Sequence, residues 1–257
     1  MEKNIWLDLG YWAQKKARES GAEQSALGIN QSRNVSVNYR DGKVEKLKES
    51  TQQSMWIDIY TKGRYSTHST NDLRKESLEK FIQNAVDLTP YLQEDPDRKL
   101  ADSELYKGQP KTDLELADSK HDKLTAEDRQ ERAKALGAYI KGKDDRLISV
   151  ESSFSDNHRE GYHLISNGFE GHRESTYYSH GVSVSMQGED GRKPEGYRYY
   201  GARHLEDLVE SKLTATEALK RTQDKMGQVK IETATLPMLL ENSNAGSFLR
   251  RIIGVLS

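Results

Sequence analysis

Four histidines, His158, His163, His172 and His180, are the residues of this chain whose type and proximity could bind a metal ion. Histidine is the commonest metal ligand in proteins. No two of them have the i, i+4 spacing that puts two histidines on one face of a helix in zinc peptidases. The stretch predicts β-strands instead, in which His158 and His163, an odd number of residues apart, face opposite sides of the sheet. We therefore expect solvated strand histidines here, with a metal site as the alternative.

The other short motifs do not complete a catalytic or nucleotide-binding site. Gly188–Gly191 could suggest a phosphate or calcium loop, but it lacks the Lys-Ser/Thr pair of a P-loop and the alternating acids of an EF-hand. We interpret it as a hairpin turn. The chain has no Gly-x-Ser-x-Gly nucleophile elbow. The lack of cysteine excludes thiolate nucleophiles, thiolate metal sites and disulfides.

The charge balance of the 257-residue chain bears on its partners. Lys and Arg number 39, Asp and Glu number 41, and the formal net charge is -2 at pH 7. This balance does not favour nucleic acid or an anionic membrane surface as a partner. Tyr197, Tyr199 and Tyr200, beside Arg198 and Arg203, could stack bases or line a peptide groove. We expect cross-strand packing of these residues instead.

The chain carries no apparent export or membrane signal. Residues 1–20 are too charged for the apolar region of a signal peptide. No apolar run approaches the length of about 18 residues that a membrane-spanning helix needs. Together with the absence of cysteine, these features predict a cytoplasmic protein.

Two runs of alternating apolar residues, each followed by helical patterns, must position these candidates. The first run, at 35–66, contains the hairpin signal Asp41-Gly42, and we expect about four strands in it. The second run predicts strands at 147–154, 161–166, 176–187 and 196–201. Runs of strands followed by helices indicate an α+β fold with antiparallel or mixed sheets and helices packed on one face.

Capping signals predict where the helices begin. Asn71 is expected to cap a helix that ends before Pro90. Capping boxes are expected at Thr125 with Asp128 and at Thr214 with Glu217. A further strand is predicted at 229–233. The same patterns divide the chain into an N-terminal α+β region at 1–92, a polar connection with a helix at 93–145, and a second α+β region at 146–257.

The last predicted element is an apolar helix at roughly 243–257. Its stripe is the most apolar surface expected on the chain, and we expect it to be an interface; the stripe comprises Phe248, Leu249, Ile252, Ile253 and Leu256. Its polar face, with Arg250 and Arg251, is expected to stay in water, because unpaired guanidinium groups are costly to bury.

Four segments in chain order resemble the TldD/PmbA family, also known as the modulator of DNA gyrase family. They are Asp41–Glu45 with Gly63–Leu73, Ser166–Phe169 with Val182–Ser185, Tyr199–Leu208, and Leu236–Leu240 with Ala245–Leu249. No single motif is specific, but their order over nearly the whole chain is.

The resemblance implies a zinc metallopeptidase family whose peptidase branch, TldD, carries a His-Glu-x-x-x-His helix directly after a segment like Ala245–Leu249. Aligned on that segment, the first His falls on Arg250, the Glu on Arg251 and the second His on Val255. None of these residues can ligate zinc or activate a water molecule. The chain therefore resembles the non-catalytic PmbA/TldE branch, and zinc is expected only in a TldD-like partner. It would end where the family's C-terminal domain begins, as a fragment, a truncated gene product or a natural short form.

Three functions follow as expectations. The first is a non-catalytic subunit or fragment that pairs with a TldD-like peptidase, or self-associates, and guides extended or unfolded peptides. The second is an active zinc metallopeptidase with ligands outside this chain, or with the His158–His180 group recruited. The third is a peptide-binding or regulatory module, linked to toxin–antitoxin systems or gyrase modulation, without a peptidase partner.

Overall fold

The computed structural model describes residues 2–108 and 112–256, which divide into two compact units, with the division between Met226 and Gly227. Within the first unit the regular elements are α1 (Glu2–Glu19), β1 (Gln24–Arg40), β2 (Lys43–Thr61), β3 (Arg64–Thr70), α2 (Lys75–Leu88), α3 (Ala126–Ala138), β4 (Leu147–Ile165), β5 (Phe169–Met186), β6 (Glu195–Ala202) and α4 (Ser211–Gln223). The second unit contains α5 (Asn242–Ile253).

The six strands form one antiparallel sheet in the order β3-β2-β1-β4-β5-β6. Asp41 and Gly42 join β1 to β2 with φ of 51° and 81°, the left-handed conformation that a tight hairpin turn requires. Pairing of β1 with β4, from Ala26 opposite Ile165 to Arg40 opposite Glu151, joins the first three strands to the last three. The structure confirms the predicted α+β class.

The strands are fewer and longer than predicted. Residues 24–70 form three strands instead of four, and the strands predicted at 147–154 and 161–166 are one continuous strand, β4. The polar segment between them, Ser155–Glu160, does not interrupt β4. Its backbone stays in the ladders with both β1 and β5, so the polar side chains do not break the hydrogen bonding.

Helices cover one face of this sheet at its two ends. At one end α1 and α2 bury Leu27, Ile57 and Leu164. At the other end α3 and α4 bury Phe154, Val182 and Val184 along with their own apolar residues. Register places these strand residues on the same side, since Leu27 is opposite Leu164 and Phe154 is opposite Val37. Each fully buried aliphatic or aromatic side chain stabilises the fold by about 1.5–3 kcal/mol.

Only one of the three predicted helix starts is confirmed. Thr125 and Asp128 form the expected capping box at α3. Asn71 does not cap α2, which begins at Lys75 after Arg74. Thr214 lies inside α4 because the helix starts at Ser211, and its hydroxyl donates to the Glu210 carbonyl within the helix.

The second unit is an extended segment followed by α5. The strand predicted at 229–233 is absent: these described residues form no strand and remain exposed. An isolated strand is not stable without a neighbouring strand, and none of β1 to β6 pairs with these residues. The helix α5 is shorter than predicted, because it ends at Ile253 and Gly254 is its C-cap. Leu256 therefore lies beyond the helix, and Ser257 lies outside the described residues.

In the described ranges, none of the helices is both long enough and apolar enough to cross a lipid bilayer.

Candidate functional site: the open face of the sheet

The face of the sheet opposite the helices, here called the open face, carries a wide cleft. Alternation along the strands places Asn30 and Ser32 of β1, Trp56 of β2, and Arg159 and His163 of β4 on this face. The cleft has a volume of about 1060 Å³, and these five residues are among those that line it. Its lining is mainly serine, asparagine, glycine, arginine and aromatic residues, so it offers both polar and apolar surface and few charges.

Two glycines on the open face, Gly28 and Gly161, leave room for side chains of neighbouring strands to lie over them. The Trp56 indole lies against Gly28 so closely that a β-carbon there would be 2.2 Å from its Nε1. The Asn30 side chain lies over Gly161 in the same manner, with Oδ1 at 2.5 Å from such a β-carbon. In each case a side chain of one strand lies flat across a neighbouring strand. Glycine within a strand is typical of such close approaches.

An aromatic row closes one end of the cleft. The Trp56 and His163 ring centroids are 5.2 Å apart, and those of His163 and Phe169 are 5.3 Å apart. The Phe169 ring in turn lies over Gly171. Burial lowers the pKa of His163 and so favours the neutral imidazole. The nearby Asp58 has the opposite effect, but burial outweighs it.

Three arginines, Arg159, Arg173 and Arg203, line the other part of the cleft and are exposed. Among the described residues none of them forms an ion pair with a carboxylate. Glu160 is the one acidic residue among the described residues that line the cleft, and its Oε1 already accepts hydrogen bonds from His172 Nε2 at 2.9 Å and Tyr162 at 3.2 Å. The cleft therefore has net positive charge, although the chain has a net charge of -2.

The four candidate metal ligands do not converge. His158 and His172 lie on the helix-side face and bond to Glu174 and Glu160 at 3.0 Å and 2.9 Å, while His163 lies on the open face. His180 is buried under α4 and bonds to Thr214 Oγ1 at 2.9 Å. Within the described chain, no group of three or more His, Cys, Asp or Glu side chains is arranged to hold a metal ion.

A buried charged network that the sequence did not reveal lies on the helix side of β4. Asp156 accepts from Arg129 Nε at 2.6 Å and Nη2 at 3.0 Å, and from His121 Nε2 at 2.8 Å. Burial alone would raise the pKa of Asp156, but His121 and Arg129 outweigh it and hold that pKa below its ordinary value. Arg129 Nη1 also bonds to the carbonyls of Leu124 and Thr125. The network thus fastens the start of α3 to the sheet.

Asp118 makes a second anchor for the segment before α3. Its Oδ2 accepts from the Tyr178 hydroxyl at 3.1 Å and from the Leu205 amide at 3.0 Å. Its own amide donates to Thr176 Oγ1 at 2.8 Å. Burial and the neighbouring Asp118 raise the pKa of Tyr178, so its phenol stays protonated and donates to the carboxylate. Both anchors are structural, because all their groups are satisfied by protein partners apart from His121 Nδ1.

The tyrosine and arginine cluster near β6 is divided between the two faces. Tyr197 and Tyr199 stack on the open face with ring centroids 6.4 Å apart. Arg198 and Tyr200 face α4, where both bond to Glu217. The predicted cross-strand packing is only part of the arrangement, since the Tyr197–Tyr199 stack runs along one strand. Glu217, expected in a capping box, instead binds this pair.

In the second unit, the residues aligned with the zinc motif do not share one helix. Arg250 and Arg251 lie in the last turn of α5, and Val255 follows the C-cap. The stripe residues Phe248, Leu249, Ile252 and Ile253 are all exposed on α5, as is Leu256 beyond it.

Two family models match the chain, one after the other. The PmbA/TldA metallopeptidase domain 1 matches residues 26–89, and the PmbA/TldA metallopeptidase central domain matches residues 119–226. The chain is 26% identical over 246 residues to Metalloprotease PmbA of Escherichia coli O157:H7, covering 93% of this chain and 52% of that protein. It is 20% identical over 233 residues to a Metalloprotease PmbA homolog of Buchnera aphidicola, covering 87% of this chain and 49% of that protein. The chain thus spans about half the length of these relatives.

Solved structures show the same fold. A proposed modulator of DNA gyrase from Bacteroides thetaiotaomicron superposes with a TM-score of 0.91 at 35% identity, covering 100% of this chain and 58% of that one. TldE from Thermococcus kodakarensis superposes with a TM-score of 0.65 at 14% identity, covering 84% of this chain and 47% of that one, and this likeness concerns the fold alone. The order of the two matched domains confirms the resemblance found in the sequence: the chain belongs to the PmbA/TldD family and corresponds to its N-terminal part.

Proposed function

We propose that this chain is the non-catalytic, PmbA/TldE-type component of a heterodimeric metallopeptidase complex, in which it provides a scaffold and guides extended or unfolded peptides. The observation that carries the proposal is the set of residues at the positions aligned with the zinc helix, Arg250, Arg251 and Val255. An arginine keeps its proton and cannot ligate zinc or act as a general base, and valine has no donor atom. The zinc would therefore belong to a TldD-like partner in the cytoplasm.

The open face supports the guiding role. Its cleft lies across several strands of the sheet, and Gly28 and Gly161 leave room for neighbouring side chains to lie over them. An extended peptide could lie on such a surface without displacing the core, because the apolar clusters are all on the helix side. The exposed stripe of α5 supports a role in association, since an uncovered apolar stripe is typical of interfaces.

The second candidate is an active zinc metallopeptidase whose ligands lie outside this chain. The names of the Escherichia coli and Buchnera relatives, both metalloproteases, favour it. Because the ligands of the second candidate lie outside this chain, the two candidates are separated by a longer protein that contains this chain. Stoichiometric zinc and peptide hydrolysis by that protein without a TldD-type subunit would favour the second, while binding to a TldD-type subunit supports the first.

The decisive assay is peptide hydrolysis by the isolated chain, by a TldD-type subunit alone and by the two mixed. We expect no cleavage of denatured casein by the isolated chain with or without added zinc, and stimulated cleavage by the mixture. A homogeneous preparation of this chain that cleaves casein in a metal-dependent manner would overturn the proposal. So would the absence of any complex or stimulation in the mixture.

A further inference from the structure

We propose that the open-face cleft binds extended polypeptide segments that carry acidic side chains, with Arg159, Arg173 and Arg203 binding the carboxylates. The choice of a polypeptide as the ligand rests on the proposed function. The binding itself is a property of this chain and does not need a peptidase partner.

The sheet register brings the three arginines together. Arg159 of β4 is opposite Ser175 of β5, and Arg173 is opposite Gly161, so the two arginines are diagonal neighbours on the open face. The Arg203 carbonyl accepts a hydrogen bond from Thr176 Oγ1 at 2.7 Å, which fixes Arg203 beside the same part of β5. Three cationic groups without carboxylate partners among the described residues form a site for anions.

Arginine suits carboxylates in particular. Its planar guanidinium binds a carboxylate through two parallel N–H···O bonds, and such charge-assisted bonds are about twice as strong as neutral ones. The Glu160 carboxylate is not a partner of these arginines, because its side chain lies on the helix-side face, where its Oε1 accepts from His172 and Tyr162. A ligand carboxylate would therefore find donors that no neighbouring acid occupies.

The remainder of the cleft fits an extended chain. Arg159 and His163 lie four residues apart on β4, so Arg159 and the aromatic row are separated by roughly 13 Å along the strand. That distance matches about four residues of an extended peptide. Arg173, opposite Gly161, lies at the level between Arg159 and the aromatic row. Ser32 and Ser175 lie on either side of Arg159, and Asn30 lies between the two ends, opposite Gly161. Their hydroxyl and amide groups can donate to or accept from a peptide backbone. The aromatic row of Trp56, His163 and Phe169 would contact an apolar side chain of the same segment.

A polypeptide is favoured over a nucleic acid. A nucleic acid carries a charge on every phosphate and is bound by a continuous basic stripe. Here three arginines occupy one part of the cleft, no lysine is among the described residues that line it, and the chain has a net charge of -2. Isolated carboxylates on a peptide match that charge pattern better.

The test is fluorescence anisotropy of the purified chain with a short labelled peptide that contains glutamates and one phenylalanine. The probes for comparison are the same peptide with every Glu replaced by Gln, and a labelled single-stranded oligo-dT. We expect the acidic peptide to bind about tenfold or more tightly than the amide peptide, with affinity that falls as salt rises.

The variant is the triple Arg159→Gln, Arg173→Gln, Arg203→Gln, and its matched control is Arg74→Gln, Arg98→Gln, Arg192→Gln, which removes the same charge elsewhere. All six side chains are exposed, so thermal unfolding should be nearly unchanged in both. The first triple should lose the preference for the acidic peptide, and the control should keep it. The inference would be overturned if the wild-type chain bound the two peptides equally or bound oligo-dT more tightly than the acidic peptide. It would also be overturned if both triple variants lost the preference for the acidic peptide to the same extent.

This test separates the inference from the proposed function. If the wild-type chain does not prefer the acidic peptide but still stimulates cleavage in the mixed-subunit assay, only the arginine site is refuted. Acidic-peptide binding that depends on the three arginines, in a chain that forms no complex with a TldD-type subunit, would refute only the proposed subunit role.

Discussion

The Trp56 indole and the His163 imidazole are in ring contact, 5.2 Å between centroids, although they lie on β2 and β4 with β1 between them. Gly28 makes this contact across a strand feasible, because it is the β1 residue opposite both Trp56 and His163. Any side chain at this position would occupy the space of the indole. A single glycine therefore decides whether the aromatic row forms.

The Gly28→Val substitution should test this relationship. The new side chain must displace the Trp56 indole, and overpacking of this kind costs about 1–3 kcal/mol. We expect a lower melting temperature and a changed tryptophan fluorescence spectrum. Ser32→Ala, on the same strand and face, is the matched control and should change neither. A valine variant with the wild-type spectrum and stability would show that the indole does not depend on Gly28.

Removal of the carboxylate in the Asp156→Ala variant should be strongly destabilising. It leaves the buried Arg129 guanidinium without its counter-ion, which costs about 3–5 kcal/mol. In contrast, Glu49→Ala removes the exposed partner of Arg33 and should cost about 0–1 kcal/mol. Denaturant unfolding measures both changes.

The double variant Asp156→Leu, Arg129→Met tests the mechanism of that loss. Because it removes both charges, it should lose less stability than Asp156→Ala alone. If the double variant is as unstable as the single one, the unpaired charge is not the main cause.

His180 should make the stability depend on pH below neutrality. Burial, with a smaller effect of Arg132, lowers the pKa of His180 to about 4 in the folded chain, from an ordinary value of 6.5. Between these pH values the unfolded chain binds a proton at this position and the folded chain does not. Stability is therefore full above about pH 6.5 and falls as the pH drops toward 4, by up to about 3 kcal/mol.

The His180→Gln variant measures the contribution of this residue. Its free energy of unfolding should vary less between pH 4 and 6.5 than that of the wild type, because the titrating group is gone. Parallel profiles for the wild type and His180→Gln would contradict the assignment.

The exposed apolar stripe of α5 is predicted to contact a second copy of this chain or a TldD-type subunit. The double variant Phe248→Asp, Ile252→Asp places two charges on the exposed stripe, and buried charges without partners are costly. We expect weaker self-association, or weaker binding to a TldD-type subunit, in sedimentation velocity experiments. The control Arg250→Gln, Arg251→Gln changes the other face of the helix. Unchanged association and solubility in the aspartate variant would show that the stripe is not an interface.

Limited proteolysis should first cut two exposed segments. Residues 93–108 lack long helices or strands and are exposed except at the half-buried Leu100 and Tyr106, and the segment at 227–241 is extended and exposed. Trypsin is expected to cut near Arg98, Lys107 and Lys230 before it cuts at Lys134 within α3, where the backbone is hydrogen bonded. Mass spectrometry of early fragments identifies the sites. Early cleavage within β1 or β2 would contradict the fold described above.

Several features of the fold were predictable because they depend on neighbours in the chain. The turn at Asp41-Gly42 requires left-handed backbone at adjacent residues, and the capping box of Thr125 and Asp128 closes within one helical turn. Strand periodicity also predicted that His158 and His163 face opposite sides. The family resemblance, too, was recognisable from short segments in order.

The sequence by itself thus determined the α+β class, most of the helices and strands, and the side of the sheet that each residue of an alternating strand faces. Only the tertiary structure decided what those sides contact, because the β1–β4 ladder pairs residues more than a hundred positions apart. That pairing places Gly28 opposite His163 and so lets Trp56 reach it. It is also the packing of α3 on the sheet that buries Arg129 against Asp156. Local periodicity assigns a side chain to a face, but strand order and helix docking select its neighbours, and no pattern within a short segment contains that information.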